Sequence, residues 1–250
     1  TTKEFDPILM LDSFDSINPD DYTAGFPMHP HRGIETISYV SRGKMVHRDS
    51  LGNEAGISDG EVQWMNSGSG IMHEEMVPAA ERLLGVQLWL NLPAKDKMSK
   101  PSYNSIKNED IKEIEIEGGK IRLLAGKYGE HEGYKGDYLS MDYYDIHLNA
   151  DAEVTLTMEE DDSVMVFTLL GDVYIDGEHI EEKTAVKLTE GDSLTIKNGN
   201  EKAQVLYMNS RALNEPVAWA GPIVMNTQEE LQKAFLELRS NTFIKETAEY

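Results

Sequence analysis

The chain has 250 residues, enough to bury a sizeable core in one large or two smaller domains. Its 45 acidic and 23 basic residues give a formal net charge of −22, which argues against direct binding to nucleic acid or an anionic membrane, both polyanions that need basic surface. The absence of cysteine excludes disulfides, thiolate metal sites and cysteine nucleophiles.

In chain order, residues 4–11 read as a short strand and 14–21 as a polar loop. Residues 34–46 alternate like a strand and are broken at Arg42-Gly43 by a hairpin signal; 53–60 form a second turn and 61–65 resume a strand. Residues 82–92 are a long apolar strand closing a first barrel, and 93–108, with clustered lysines and two prolines, read as an exposed connection. Many short strands with frequent turns predict an all-β barrel or sandwich. The second half faintly repeats the first: Gly-Val-Gln-Leu-Trp-Leu-Asn (85–91) is echoed by Ala-Gln-Val-Leu-Tyr-Met-Asn (203–209), and Gly60-Glu61-Val62 by Gly191-Asp192-Ser193-Leu194. Setting Gly43 against Gly171 puts Thr157 and Glu159 where His29 and His31 stand, with Asn200 or Glu201 near the place of His73. The fold is duplicated and the polar set is not, so two barrels with one functional site are expected. The boundary is placed between 109 and 127. Near the end, Thr227-Gln228-Glu229-Glu230 is a capping box, and Leu231, Ala234, Phe235 and Leu238 follow at helical spacing. This helix should dock on a barrel, with 241–250 a loose polar tail.

The chemistry concentrates between Gly25 and Pro78. His29 and His31 form one pair, His73 and Glu75 another, and residues two apart on a strand share a face. If the two strands face each other across a barrel, three imidazoles and one carboxylate converge. That set suits Fe(II), Mn(II), Ni(II), Cu(II) or Zn(II) and leaves positions open for water, substrate or dioxygen. Pro30 disfavours helix between the first pair, and the Asn66-Ser67-Gly68-Ser69-Gly70 turn delivers the second. Glu35, on the same strand parity as His31, competes as the carboxylate ligand. Glu75 is preferred because its partner His73 is two residues away, which leaves Glu35 to orient a histidine. Glu74 should point to the opposite face. His47 and Asp49 again share a face, as pocket residues or as a surface pair. Trp64 and Met65, with Met28, Met72 and Met76, either line an apolar cavity or fill the barrel. His131, His147 and His179 have no partner at ligand spacing.

Gly-Phe-Pro-Met-His-Pro-His-Arg-Gly-Ile-Glu-Thr (25–36), His-Arg-Asp-Ser-Leu-Gly-Asn (47–53) and Gly-Glu-Val-Gln-Trp-Met-Asn-Ser-Gly-Ser-Gly-Ile-Met-His-Glu-Glu-Met (60–76) together resemble the pirin family of bicupins. Glu-Pro-Val-Ala-Trp-Ala-Gly-Pro-Ile-Val-Met-Asn-Thr-Gln-Glu-Glu-Leu (215–231) resembles that family's C-terminal block. The resemblance implies two cupin barrels, of the double-stranded β-helix or jelly-roll type, and a C-terminal helix. We divide the chain into a metal-binding barrel (1–115), a barrel without ligands (116–225) and a helix with tail (226–250). By motif position the resemblance puts the ligands of one non-haem iron on His29, His31, His73 and Glu75, and it implies dioxygenation of quercetin-like flavonols. In that reaction Glu75 would also take the substrate's proton, and the small-molecule partners are a flavonol or related aromatic enol and dioxygen. Other members act as transcriptional co-regulators or modulators of metabolic enzymes, so a regulatory role through a protein partner is the alternative. No run approaches roughly eighteen apolar residues, and the N-terminus lacks the charged and apolar regions of a signal peptide, so a cytoplasmic protein is expected.

Overall fold

The computed structural model describes residues 2–189 and 191–246; of the expected tail, 247–250 lie outside the described residues. The chain divides into two compact units, one comprising Ile8–Lys107 and the chain from Leu213 onward, the other Lys3–Pro7 and Asn108–Ala212.

The first unit holds β1 (Ile8–Ser16), β2 (Phe26–His31), β3 (Ile34–Arg42), β4 (Lys44–Asp49), β5 (Glu54–Ser58), β6 (Glu61–Asn66), β7 (Ile71–Met76), β8 (Leu83–Asn91) and β9 (Ser102–Ile106). They form two antiparallel sheets, ordered β1-β8-β3-β6-β9 and β2-β7-β4-β5. Burial alternates along β7, with Ile71, His73 and Glu75 inside and Met72, Glu74 and Met76 half-exposed, as one-sided packing requires. Nearly every residue of β3 and β6 is buried on both faces. One end of the barrel is filled by Val40, Met45, Ile57, Val77 and Leu83, with Phe14 and Tyr22 against them.

The second unit holds β10 (Lys112–Ile116), β11 (Gly119–Ala125), β12 (Lys127–Tyr128), β13 (His131–Glu132), β14 (Met141–Leu148), β15 (Glu153–Thr157), β16 (Asp162–Leu170), β17 (Val173–Ile175), β18 (Glu178–Ile180), β19 (Ala185–Lys187), β20 (Ser193–Asn198) and β21 (Ala203–Arg211). Its sheet orders are β10-β11-β14-β21-β16-β19 and β15-β20-β17-β18, beside a small β12-β13 ribbon. The runs β14-β21-β16-β19 and β15-β20-β17-β18 repeat β1-β8-β3-β6 and β2-β7-β4-β5 strand for strand, so the expected pair of cupin barrels is present. His47 pairs with Glu75 across β4 and β7, and Ile175 with Ile196 across β17 and β20, so buried Leu194, paired with buried Leu156, stands in the place of His73. Thr157 and Ser193 are exposed on the other face, and Asn200 and Glu201 follow β20 in a loop. The interior is apolar, built on residues such as Ile146, Val166, Val205 and Ile196 with Tyr144 stacked on Tyr207.

The division differs from the expected boundaries in two places. Residues 108–115 belong with the second unit because β10 pairs along β11. Residues 213–225 fold with the first, where they form β22 (Ala218–Ala220) and β23 (Ile223–Met225) ahead of α1 (Gln228–Arg239). The capping box is formed as expected, Thr227 and Glu230 each accepting from the other's backbone N–H. Leu231 and Ala234 of α1 pack on Ala218, Ile223, Met225 and Phe243, so the helix reaches the barrel through the β22-β23 ribbon. The stretch 93–108 is not wholly an exposed connection: β9 completes a sheet, and Lys97 is 1% exposed.

Two buried cations fasten the late segment to the loop after β2. Arg32 donates to the carbonyls of Ser69 (2.7 Å) and Phe243 (2.9 Å), pairs with Glu237 at 2.8 Å and lies 4.2 Å from the centre of the Phe243 ring. The Lys97 ammonium donates to the carbonyls of Gly33 (2.8 Å) and Val224 (3.2 Å) and to Asn91 Oδ1 (2.7 Å). Gly33, at φ +79°, permits this approach: a Cβ there would lie 1.9 Å from the Val224 carbonyl. Among the described residues no helix is long and apolar enough to cross a membrane.

Arg32→Met leaves the Ser69 and Phe243 carbonyls without this donor and Glu237 with Lys245 alone, and should lower the unfolding free energy by about 3–5 kcal/mol in denaturant titrations. Burial lowers the Lys97 pKa from 10.5 to about 8. Between those values the unfolded chain holds the proton that the folded chain has released, so stability rises with pH across that window. Relative to Lys97→Met, the wild type should gain roughly 2–3 kcal/mol from pH 8 to 10.5.

Candidate metal centre

The register of the β2-β7-β4 sheet explains how residues far apart in sequence share one face. His29 lies opposite His73, and His73 opposite Asp49. One row away, Glu75 lies opposite Phe26 on one side and His47 on the other. Directly opposed residues of antiparallel strands point the same way. The barrel interior therefore receives His29, His31, His73, Glu75, His47 and Asp49, while Glu74 faces outward to pair with exposed Arg48.

Three imidazoles meet at the centre. One ligand-capable nitrogen from each of His29, His31 and His73 lies within 4.8 Å of the others. His29 Nδ1 sits 2.7 Å from the Pro27 carbonyl and His31 Nδ1 3.1 Å from the Pro222 carbonyl. A carbonyl only accepts, so both Nδ1 atoms carry the proton, and in the neutral rings both Nε2 atoms carry lone pairs. Those two Nε2 atoms are 3.0 Å apart. Two nitrogens held at right angles about 2.1 Å from one ion would lie about 3.0 Å apart. Buried His73 Nε2 has no hydrogen-bond partner. Burial, followed by the neighbouring His29, pushes the His31 pKa down to about 3, and burial with the neighbouring imidazoles lowers that of His73 further. Neutral rings with converging lone pairs fit a divalent first-row ion.

Glu75 is not part of this three-way cluster. Its carboxylate accepts from Gln63 Nε2 and from Gln87 Nε2 (3.1 Å). Burial raises its pKa, against the opposing effect of these amides and the nearby His47 and His29. Gln63 and Gln87 both also donate to Ser38 Oγ, at 3.2 and 2.9 Å, and Trp89 Nε1 donates to Gln87 Oε1 at 3.3 Å. The wall behind the imidazoles is thus an ordered amide layer.

His47 and Asp49 are no surface pair: both side chains are fully buried, joined at 2.9 Å. His47 stacks on Tyr103 at 4.0 Å, and its Nδ1 lies 3.4 Å from His73 Nδ1. Glu35 is buried on β3, opposite Leu90 and Asn66 in the other sheet. The second nitrogens of the three imidazoles turn instead to Pro27, Pro222 and His47, so the orienting part expected of Glu35 falls to those groups. Met65 shares the face of Gln63, two residues away; Trp64, between them, takes the opposite face with Ile37. Trp64 therefore belongs to the packing outside the barrel interior. Phe26 and Met28 are about half exposed, and Trp89 meets the His31 ring edge-on at 5.0 Å.

Gln63, Gln87, Tyr103, Pro222 and Arg32 escaped the sequence reading. Gln87 carried a usable signal, since it interrupts the apolar run 83–90. Pro222 acts through its backbone, which no side-chain pattern reveals.

The pirin model matches residues 1–90 and the pirin C-terminal cupin model residues 143–244. A Pseudomonas aeruginosa protein carrying the provisional description quercetin 2,3-dioxygenase is 38% identical over 247 residues, 95% of this chain and 86% of the relative. Human pirin is 36% identical over 248 residues, 95% of this chain and 83% of its own. Among solved structures, a quercetin 2,3-dioxygenase from Acinetobacter baumannii superposes with TM-score 0.88 at 33% identity, over 96% of this chain and 87% of that one. With its duplicated barrels, its converging histidines and relatives matched along nearly the whole length, the chain belongs to the pirin family.

Proposed function

We propose that the chain is a metal-dependent dioxygenase that cleaves quercetin-like flavonols with dioxygen. The observation that carries this reading is the convergence of three imidazoles, one ligand-capable nitrogen of each within 4.8 Å of the others; the names of the Pseudomonas and Acinetobacter relatives support the choice of substrate. His29, His31 and His73 hold the ion, iron(II) by preference, with manganese, nickel, copper or zinc as alternatives. A first-row ion held there would supply Lewis acidity that favours the enolate of the substrate. Glu75, two residues from His73 on the same face, receives the enol proton or completes the ligand set. Gln63 and Gln87 keep its carboxylate aimed while the proton arrives. The apolar side chains of Phe26 and Met28 offer contact area for an aromatic ligand, and the buried Trp89 shields His31 from water. A second reading, a metal-loaded regulator acting through protein partners in the cytoplasm, draws its support from relatives named simply pirin.

Anaerobic loading with Fe(II), followed by quercetin and oxygen, should consume the flavonol absorbance and release carbon monoxide. His73→Ala should abolish both, and Glu75→Gln should lower turnover by about 10²–10⁴. Stoichiometric iron without flavonol loss would favour the regulatory reading, to be followed by pull-downs with apo and loaded protein. Removing one amide, in Gln63→Leu, takes away a donor to the ionised carboxylate, so the Glu75 pKa should rise further in ¹³C-detected titrations of the apo protein.

A further inference from the structure

We infer that the buried Asp49–His47 pair is a positioning device that fixes the tautomer of His73 and so turns its Nε2 lone pair toward the metal site. The inference rests on the three-imidazole site proposed above, and it concerns which proton sits where.

The direction of the chain is set at its far end. Among the described residues the partner of His47 Nε2 is Asp49, which as a carboxylate can only accept. Its Oδ1 takes the backbone N–H groups of Leu51 (2.9 Å) and Asn53 (3.1 Å), and its Oδ2 takes Asn53 Nδ2 (2.8 Å) and His47 Nε2 (2.9 Å). Burial pushes the carboxyl pKa up, but the donors from His47 and Asn53 outweigh it and hold Asp49 below the usual carboxylate range. A singly protonated His47 therefore carries that proton on Nε2 and a lone pair on Nδ1. That lone pair faces His73 Nδ1 at 3.4 Å. His73 must then donate from Nδ1, and its Nε2, buried without a hydrogen-bond partner, keeps the lone pair. Tyr103, stacked on the His47 ring, holds the ring plane. For His29 and His31 a backbone carbonyl fixes the tautomer; for His73 a second imidazole backed by a carboxylate does so. A metal ligand whose outer partner is removed or reversed loses affinity by about 10- to 100-fold.

Asp49→Asn tests this because the backbone donors dictate its orientation. The N–H groups of Leu51 and Asn53 require an oxygen at the Oδ1 place, which puts the new NH₂ at the Oδ2 place, facing His47 Nε2, with the Asn53 side-chain amide turned over so that its oxygen accepts. His47 then moves its proton to Nδ1, and His73 must move its own to Nε2. Three measurements use the full chain: ¹⁵N-detected histidine spectra of the apo protein, zinc titration calorimetry, and thermal melting to establish that each variant is folded. In the wild type His73 should be the Nδ1–H tautomer. In Asp49→Asn it should switch to Nε2–H, with zinc affinity about 10- to 100-fold weaker. His47→Gln, whose amide can still accept from His73 and donate to Asp49, should retain more affinity than His47→Leu. A wild-type His73 protonated on Nε2, or a folded Asp49→Asn that binds zinc within about twofold of wild type, would overturn the inference. Both readouts are independent of flavonol turnover, so loss of the dioxygenase reading and loss of this one are distinguishable.

Discussion

Two imidazole lone pairs 3.0 Å apart repel each other, and the architecture of the first barrel keeps them there. Left to itself, either ring would rotate or shift its proton to Nε2 and donate across the gap. The carbonyls of Pro27 and Pro222 prevent this by taking the Nδ1 protons of His29 and His31. Such an arrangement is unfavourable in the apo protein and becomes favourable when a cation shares the lone pairs. The strain is small beside the packing that imposes it: β2, β7 and β4 are held in register along their lengths, and the amide layer of Gln63 and Gln87 closes the inner wall.

The same barrel, repeated, shows what the second copy lacks. Its strands follow the same order, yet Leu156 and Leu194 occupy the row that His29 and His73 hold in the first, and its interior is filled by Ile, Val, Leu and Tyr side chains. Among the described residues no metal-capable cluster forms in that interior, and apolar packing fills the space and supplies stability directly. The first barrel exchanges part of that packing for buried polar groups, each needing a partner. Arg32 and Lys97 add two more buried cations, which draw the β22-β23 ribbon, α1 and Phe243 against the loop that follows His31.

Much of this was legible in the residues. Alternating apolar positions with glycine turns gave the strands, and the capping box with its apolar stripe gave the helix. The i, i+2 spacing placed His29 with His31 and His73 with Glu75. What the spacing could not give was the cross-strand register, which depends on bulges such as the one between Phe26 and His29. Hence Trp64 is grouped with Met65 although neighbours on a strand face opposite ways, and the counterpart of His73 is sought at Asn200 and Glu201 when buried Leu194 holds it. Glu35 shared the parity of the ligands but lies in the other sheet. The contribution of Pro222 is a main-chain oxygen, and the role of Arg32 depends on partners at Ser69, Glu237 and Phe243. Such non-local contacts leave no mark in composition or periodicity.

The bond from His31 to the Pro222 carbonyl spans 191 residues of chain. Synthesis is vectorial, and domains fold as they emerge. The strands that carry His29, His31 and His73 can pair long before residue 222 exists, and until then His31 is free to choose either tautomer. The ligand set therefore matures last: the second barrel, lying between, must be made before the ribbon returns to finish the first. The three-imidazole cluster thus has its full set of tautomer-fixing carbonyls only once residue 222 has been made, so its completion is timed by the order of the chain.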